Sequence, residues 1–181
     1  MKNEKVKAFL REARFYLMVI LGVLVFQHNV ALHASVPSES MNPTVKEGDH
    51  LIINCWDYHF EEPERGEIIA FYHKEEGKIF RKKYLKRVIG LPHDTIDIQD
   101  GKVYVNGEKL DESSYLAEDI ITYPIYFSLP YTLGDDEYFV LGDNRMVSWD
   151  SRAWGTVKEK DILGKAVYRI FPFDQFGEVE E

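Results

Sequence analysis

The apolar positions of this chain follow two patterns, and the change between them falls near Pro37. Residues 15–26, FYLMVILGVLVF, are apolar without interruption. After Pro37 the apolar residues alternate with polar ones, and β-branched and aromatic types dominate. An unbroken apolar run favours a membrane or core helix, whereas alternation with a period of two is typical of half-buried strands. The pattern therefore predicts one N-terminal helix followed by a β-rich domain.

The second region predicts many short strands separated by turns. Asn106-Gly107 lies between VYV and EKL and predicts a tight hairpin, because both turn residues tolerate positive φ angles. Residues 111–135 are less regular and are expected to form an insertion or a long crossover. Short strands with frequent turns predict a mainly β domain, built as a sandwich or a barrel. The predicted strands cover residues 50–54, 67–72, 78–90, 94–98, 102–105, 137–141 and 162–170.

The N-terminal apolar segment is open to three interpretations. Residues 15–26 fall short of the roughly 20 residues that span a bilayer, and spanning length is reached only by including the more polar stretch up to Val36. A membrane anchor over residues 15–35 is the first interpretation. A cleaved signal peptide is the second, although Ala34 before Ser35 completes only a poor small-x-small site. A soluble amphipathic or core helix is the third.

Charge supports the anchor. The chain has 181 residues and a net charge of -9, yet residues 1–14 contain five basic residues and only two acidic ones. A basic segment before an apolar run stays in the cytoplasm by the positive-inside rule. We therefore expect a single-pass protein of the plasma membrane with an extracytoplasmic domain over residues 36–175 and an acidic tail over 176–181. The acidic balance of that domain argues against a nucleic-acid partner.

Two serines after the anchor are candidates for chemistry. Ser38 and Ser40 lie two residues apart in PSESMNPT, so an extended chain projects both to the same side. Pro37 and Pro43 restrict the backbone around them. The alternative is an ordinary linker between the anchor and the domain.

Lys86 is a candidate base in the predicted strand YLKRVIGLP. Alternation places Lys86 on one face with Tyr84 and Val88 and places Arg87 on the other, so one of these two basic residues must face inward. Burial lowers the pKa of a lysine. A lysine that acts as a general base must have a lowered pKa, because only about one in 2,500 lysines is neutral at pH 7 when the pKa is about 10.4. The alternative is a solvated lysine at a strand edge.

A third candidate segment is GDNRMVSWDSR, residues 142–152. Its Gly, Asp, Asn and Ser content predicts a loop with many side-chain-to-backbone hydrogen bonds. Ser148, Asp150 and Arg152 share a spacing of two residues, and Asp150 and Arg152 are expected to pair. The alternative is a surface turn with a weak ion pair.

Other chemistry has little support in the sequence. Metal-binding H-E-x-x-H and C-x-x-C motifs and glycine-rich phosphate loops do not occur, so neither a metal nor a cofactor is expected. Cys55 is the single cysteine, which excludes an intramolecular disulfide, and we interpret it as a half-buried strand residue.

Together and in order, these segments resemble the signature boxes of type I signal peptidases, in the compact form of Gram-positive-type members. The similarity covers the chain from its basic head to about residue 171. The matching boxes are SESMNPT at 38–44, GD at 48–49, RGE at 65–67, KRVIGLPHD at 86–94 and GDNRMVSWDSR at 142–152. His93 departs from the family's common L-P-G-D, and a positive φ angle at this position would cost a histidine some energy.

The resemblance implies a membrane-bound serine endopeptidase that removes N-terminal signal peptides from exported precursors and cleaves after small residues at -1 and -3. It implies a signal-peptidase-like β-sandwich or barrel core with one N-terminal transmembrane helix. The expected partners are signal peptides and the lipid bilayer, and the enzyme is expected to act as a monomer without a cofactor.

The same resemblance assigns roles to individual residues. Ser40 matches the nucleophile and Lys86 the general base that takes its proton. The Ser38 hydroxyl and the Ser40 backbone N–H match the oxyanion hole. The site-orienting positions are matched by Ser148, which orients the lysine amine, and by the pair Asp150 and Arg152.

Two other functions remain as alternatives. A catalytically silent homologue could act as a membrane partner in an export or assembly complex, but such a protein would be expected to have lost Ser40 or Lys86. A self-cleaving repressor domain would also use a serine and a lysine, but it would carry a DNA-binding module where this chain has its apolar segment.

Overall fold

The computed structural model describes residues 2–74, 77 and 79–179, and it is mainly β. Helix α1 covers Lys2–Asn29 and helix α2 covers Ser151–Trp154. Short 3₁₀ turns lie at Asp57–His59, Glu159–Asp161 and Phe173–Gln175. The strands are β1 Ala31–Ser35, β2 His50–Asn54, β3 Ile68–His73, β4 Lys82–Gly90, β5 Thr95–Gln99, β6 Lys102–Val105, β7 Glu108–Lys109, β8 Tyr131–Thr132, β9 Glu137–Leu141, β10 Val157–Lys158, β11 Ile162–Phe171 and β12 Gly177–Glu178.

These strands form two antiparallel sheets in the described part of the chain. The larger has the order β1-β2-β11-β3-β4-β9-β10, with β12 paired to β11, and the smaller has the order β7-β6-β5-β8. Buried and half-buried residues alternate along β2, as its HLIIN sequence predicts. The prediction of a mainly β domain is therefore confirmed.

The core consists of three apolar clusters. One lies under β1, β2 and β3 and includes Met41, Leu51 and Ile53. A second, around Ile96 and Phe139, joins the two sheets. The third packs Phe71, Val88, Tyr138 and Val140 against α2 and the start of β11. The first cluster is the most relevant to function, because it supports the segment that carries Ser38 and Ser40.

The N-terminal segment differs from the predicted anchor over residues 15–35. Helix α1 ends at Asn29, and residues 31–35 form β1, which pairs with β2 so that Ser35 lies opposite His50. Leu32 and Ala34 alternate with polar neighbours and pack on the first core cluster, which is a strand pattern rather than a helical one. Among the described residues, none of the helices combines the length and the apolar character that crossing a membrane requires.

The C-terminal segment also differs from the prediction of a separate acidic tail over 176–181. Gly177 and Glu178 form β12 and pair with Arg169 and Tyr168 of β11. Val179 is buried in the first core cluster. The tail therefore contributes to the sheet, because Val179 is buried in the core between acidic neighbours. Residues 180–181 lie outside the described residues.

Two turn predictions can be compared with the backbone. Asn106 and Gly107 have φ angles of 54° and 83° and connect β6 to β7, which confirms the predicted hairpin. The predicted strand over 78–90 begins at Lys82, and residue 78 lies outside the described residues. His93 has a φ angle of 70°, so the Pro92–Asp94 turn does hold a histidine in the left-handed region that favours glycine.

Candidate active site

The segment that carries Ser38 and Ser40 is fixed by buried side chains on both sides. Val36, Met41 and Val45 belong to the first core cluster and are at most 6% exposed. The Val36 N–H donates to the Asp49 carbonyl at 2.9 Å, and the Val45 N–H donates to the Met41 carbonyl at 2.9 Å. The segment is therefore an anchored part of the domain rather than the alternative linker, and it holds the Ser40 hydroxyl in a defined place.

Strand β4 brings Lys86 to this segment. Its amine Nζ donates a hydrogen bond to the Ser40 Oγ at 2.6 Å, although the two residues are far apart in the chain. Lys86 is only 2% exposed, and its amine lies 6.0 Å from the centre of the Tyr84 ring on the same strand face. The hydroxyl and the amine are thus adjacent and largely shielded from water.

Burial changes the acid–base behaviour of this amine. Loss of hydration lowers the pKa of Lys86 to about 8, because the charged ammonium is the form that burial disfavours. The carboxylates of Asp150 and Asp143 oppose this shift, since negative charge favours the ammonium. The neutral form is consequently a substantial minority near pH 7, and a neutral amine in hydrogen-bond contact with a hydroxyl can accept its proton.

Ser38 lies beside the same hydroxyl. Its Oγ is 3.4 Å from the Ser40 Oγ, which places both hydroxyls on one side of the segment. Ser38 is exposed, so its hydroxyl is accessible to a bound molecule. The hydroxyl can rotate and donate a hydrogen bond to an oxygen formed next to Ser40.

The loop 142–152 is held rigid by a buried ion pair. Arg152 Nε and Asp150 Oδ1 are 2.8 Å apart, and Asp150 Oδ2 accepts from the Gly142 N–H at 3.0 Å. The second guanidinium nitrogen of Arg152 donates to the Arg145 carbonyl at 2.9 Å and to the Ser148 carbonyl at 3.2 Å. This is a buried network rather than a weak surface pair, so it fixes the shape of the loop next to Ser40.

Ser148 lies close to Ser40, but the expected contact with Lys86 is missing. A Cβ atom at Gly142 would overlap both the Ser148 side chain and the Ser40 carbonyl oxygen, so glycine is needed where these two residues approach. The Ser148 hydroxyl is buried and has no hydrogen-bond partner among the described residues. Ser148 therefore lies close to Ser40, whereas a hydrogen bond between its hydroxyl and the Lys86 amine is not formed in this structure.

A second buried ion pair was not singled out from the sequence. Arg87 donates from Nε and from its terminal nitrogen to the Asp143 carboxylate at 2.9 and 2.8 Å, and both side chains are fully buried. The Thr44 hydroxyl donates to the same carboxylate at 2.6 Å. Alternation had required one of Lys86 and Arg87 to face inward, but both are buried. The charged pair connects β4, the serine segment and the loop 142–152.

A groove extends from Ser40 along two strand edges. Its volume is about 380 Å³, its floor includes Ile53, Ala70 and Leu163, and its walls are residues 32–38 and 82–86. β1 is the edge strand of the larger sheet, and β4 pairs with β9 only from Arg87 onward, so neither wall has a further strand of the described sheets beside it. Such edges can bind an extended peptide through its backbone.

In sequence, the chain is similar to proteins of one family. The signal peptidase family, peptidase S26, matches residues 9–171. A probable signal peptidase I-2 from Synechocystis is 41% identical over 162 residues, which cover 88% of this chain and 71% of that protein. Signal peptidase IB from Staphylococcus aureus is 35% identical over 155 residues, which cover 78% of each. The crystal structure of a signal peptidase I from Enterococcus faecalis is similar with a TM-score of 0.47 and 32% identity, and the match covers 58% of this chain and 97% of that one.

Proposed function

This chain belongs to the signal peptidase family, peptidase S26, and from that premise we propose that it is a serine endopeptidase that removes signal peptides from precursor proteins. The observation that carries the proposal is the 2.6 Å hydrogen bond between the Lys86 amine and the Ser40 hydroxyl. A silent partner protein is not favoured, because it would have no need of a buried lysine held against a serine at the end of a peptide-sized groove.

The proposed reaction begins with the transfer of a proton from Ser40 to Lys86. The neutral amine takes the hydroxyl proton while the Ser40 Oγ attacks the carbonyl carbon of the scissile bond, and the lysine then returns the proton to the leaving amine. In the second half, Lys86 takes a proton from a water molecule while the water oxygen attacks the ester carbonyl. The bond to the Ser40 Oγ then breaks, and the lysine returns the proton to this oxygen. Because the amine accepts and donates in turn, a pKa near the working pH serves both steps.

The tetrahedral intermediates need hydrogen-bond donors for their negative oxygen. We assign this role to the Ser38 hydroxyl, 3.4 Å from the attacking oxygen, and to the Ser40 backbone N–H. Asp150 and Arg152 act as positioning residues, because their buried pair fixes the loop whose Asn144 N–H donates to the Ser40 carbonyl at 3.1 Å. We assign Ser148 the role of orienting the amine, and its buried hydroxyl, which has no hydrogen-bond partner among the described residues, supports that role.

The groove supplies a reason for cleavage after small residues. A peptide in extended conformation between the edges of β1 and β4 points its -1 and -3 side chains the same way, because alternate residues of a strand share a face. We propose that these two side chains face the apolar floor formed by Ile53, Ala70 and Leu163. A large side chain at either position would lift the scissile carbonyl away from Ser40.

We propose that helix α1 attaches the protein to the plasma membrane through its apolar side chains. Its apolar side chains between residues 15 and 24 are exposed, and basic residues precede them. An uncovered apolar helix with a basic flank suits a lipid environment. Deletion of residues 2–24 is expected to release the protein from lipid vesicles in a flotation assay, and retention of the shortened protein on the vesicles would contradict this role.

A panel of precursor peptides tests the proposed activity. The purified protein is expected to cut peptides with alanine at -1 and -3 at a single bond, identified by the masses of the two products. Replacing either alanine by leucine should reduce kcat/KM by about 10²-fold or more, because the misplaced carbonyl loses alignment with the nucleophile. Equal cleavage of the leucine peptides, or cleavage at another bond, would argue against the proposed groove.

Ser38→Ala tests the proposed oxyanion hole. We expect kcat to fall by about 10²–10³-fold while the cleavage position stays the same, because one donor to the developing negative charge is lost. Substitution of Ser114, an exposed serine in the segment 111–135, is the matched control and should leave kcat unchanged. If kcat of Ser38→Ala remained within a factor of two, Ser38 would have no part in stabilising the intermediate.

The pH profile of kcat/KM is expected to report the pKa of Lys86. Activity should rise about tenfold per pH unit below pH 8 and level off above it, because only the neutral amine can act as the base and its pKa is lowered to about 8. Steady-state rates from pH 6 to 10, with a check that the protein stays folded, provide the measurement. A profile that is flat between pH 6 and 8 would show that Lys86 is not the titrating base.

A further inference from the structure

Outside the groove, an exposed apolar patch lies near the segment that carries Ser40. The patch consists of Met146, Val147 and Trp149 from the loop 142–152, together with Tyr126. Met146 is 69% exposed and Val147 is 60% exposed. Trp149 and Tyr126 form an edge-to-face pair with ring centres 5.7 Å apart. Clustered exposed apolar side chains in a folded domain mark an interaction surface more often than chance.

The position of the patch relative to Ser40 follows from the hydrogen bonds of its loop. The Asn144 backbone N–H donates to the Ser40 carbonyl at 3.1 Å, and the Asn144 side chain donates to the Glu39 carbonyl at 3.2 Å. The Val147 N–H donates to the Asn144 carbonyl, so two successive backbone hydrogen bonds connect the patch to Ser40. Yet no residue of the loop 142–152 is among those that line the groove. The patch therefore lies near the serine segment but outside the groove.

The loop presents this patch rigidly. Arg152 is 2% exposed and bonds the carbonyls of Arg145 and Ser148, while Arg145 Nε donates to the Gly142 carbonyl at 3.1 Å. The segment with Tyr126 is tied to the same loop, because the Tyr126 N–H donates to the Arg152 carbonyl at 2.9 Å. A preformed surface loses little conformational entropy when a partner binds.

We propose that this patch binds the first residues of the mature protein, those that follow the scissile bond, and that it favours apolar side chains at +1 to +3. The inference rests on the proposed function. If the signal-peptide side of the substrate occupies the groove, the chain beyond the scissile bond must leave the groove at Ser40, and we place it beside the loop 142–152. There it meets Met146 and Val147, which can cover apolar side chains and gain the free energy of burying them. The patch thereby adds a specificity determinant that lies outside the groove.

The test uses two precursor peptides that are identical up to -1 and carry either leucine or serine at +1 to +3. The wild-type protein is expected to cleave the leucine peptide with a kcat/KM about fivefold higher, roughly the effect of partly burying one such side chain. In the double variant Met146→Ser, Val147→Ser this ratio should fall to about one. Phe60→Ser, an equally exposed apolar residue that does not line the groove, is the matched control and should keep the wild-type ratio.

Binding separates this inference from the proposed chemistry. In a Ser40→Ala background the leucine peptide is expected to bind about fivefold more tightly than the serine peptide, and the Met146→Ser, Val147→Ser change should remove the difference. If the wild-type protein cleaved neither peptide, the proposed function would fail while the binding comparison still tested the patch.

Two outcomes would overturn the inference. The first is a wild-type ratio near one in both cleavage and binding. The second is a ratio that survives unchanged in the double variant. Because the side chains of Phe60, Met146 and Val147 are exposed, thermal melting is expected to show that the variants at these positions stay folded.

Discussion

Ser40→Ala is expected to reduce the cleavage of a precursor peptide by about 10⁴-fold or more, because the substitution removes the hydroxyl that forms the acyl-enzyme. The hydroxyl that is removed accepts the hydrogen bond from the Lys86 amine at 2.6 Å, and it lies at the end of the groove where the scissile carbonyl would arrive. The measurement is kcat/KM with a peptide that has alanine at -1 and -3.

The fold should survive this change. Met41 and Val36, which pin the segment in the core, are untouched, and alanine keeps the Cβ of serine. The thermal midpoint is therefore expected to remain close to that of the wild type, and Ser114→Ala, at an exposed site, should match the wild type in both rate and melting. A Ser40→Ala protein that cleaved the peptide within tenfold of the wild-type rate would refute the assignment of the nucleophile.

Lys86→Met is expected to have a comparable effect on the rate. Methionine is close to lysine in length and can occupy the same buried space, but it cannot take the proton from Ser40. We expect kcat/KM to fall by about 10³–10⁴-fold, the range seen when a nucleophile loses its activating base. The residual rate should no longer rise between pH 6 and 8, because the group that titrates there has been removed. Lys160→Met, at an exposed position, is the matched control.

Lys86→Met is expected to lower activity but to raise the free energy of unfolding at pH 7. The pKa of Lys86 is lowered from 10.5 in water to about 8 in the folded protein, so the folded state binds fewer protons between pH 8 and 10.5 and its stability rises with pH across that window. At pH 7 the burial of the ammonium costs on the order of 3 kcal/mol. Lys86→Met removes this cost and should raise the free energy of unfolding at pH 7, while removing the rise above pH 8.

Denaturant unfolding at pH 7 and pH 10 measures this effect. A variant that is inactive and at least as stable as the wild type would separate a catalytic lysine from a structural one, because loss of a structural lysine should lower the stability. Activity that persisted above a hundredth of the wild-type rate, with its pH dependence intact, would assign the base to another group.

The two buried ion pairs show where sequence patterns stop being informative. Asp150 and Arg152 are two residues apart, so their pairing could be expected from spacing, and they lie 2.8 Å apart in the structure. Arg87 and Asp143 come from β4 and from the loop after β9, and neither has a pattern that points to the other. Alternation predicted that one of Lys86 and Arg87 faces inward. It could not predict that both are buried, since that depends on what covers each face of the strand.

The short strand β1 illustrates a different limit. Leu32 and Ala34 alternate with polar residues, but only a short polar stretch separates them from the apolar run 15–26, so length suggested one anchor up to Ser35. The pairing of β1 with β2 provides the backbone hydrogen bonds that decide the outcome. This difference bears on function, because residues 32–35 form one wall of the groove and are not available to the anchor.

The sequence by itself determined the mainly β class, the Asn106-Gly107 hairpin and the candidate pair Ser40 and Lys86, because alternation, turn chemistry and ordered motifs are local properties of the chain. Only the tertiary structure decided that the Lys86 amine meets the Ser40 hydroxyl at 2.6 Å and that burial lowers the pKa of this amine to about 8. Desolvation depends on every segment that excludes water from the amine, and those segments come from distant parts of the chain. The groove and the apolar patch beyond Ser40 arise in the same way, from strand edges and loops that adjoin only after folding.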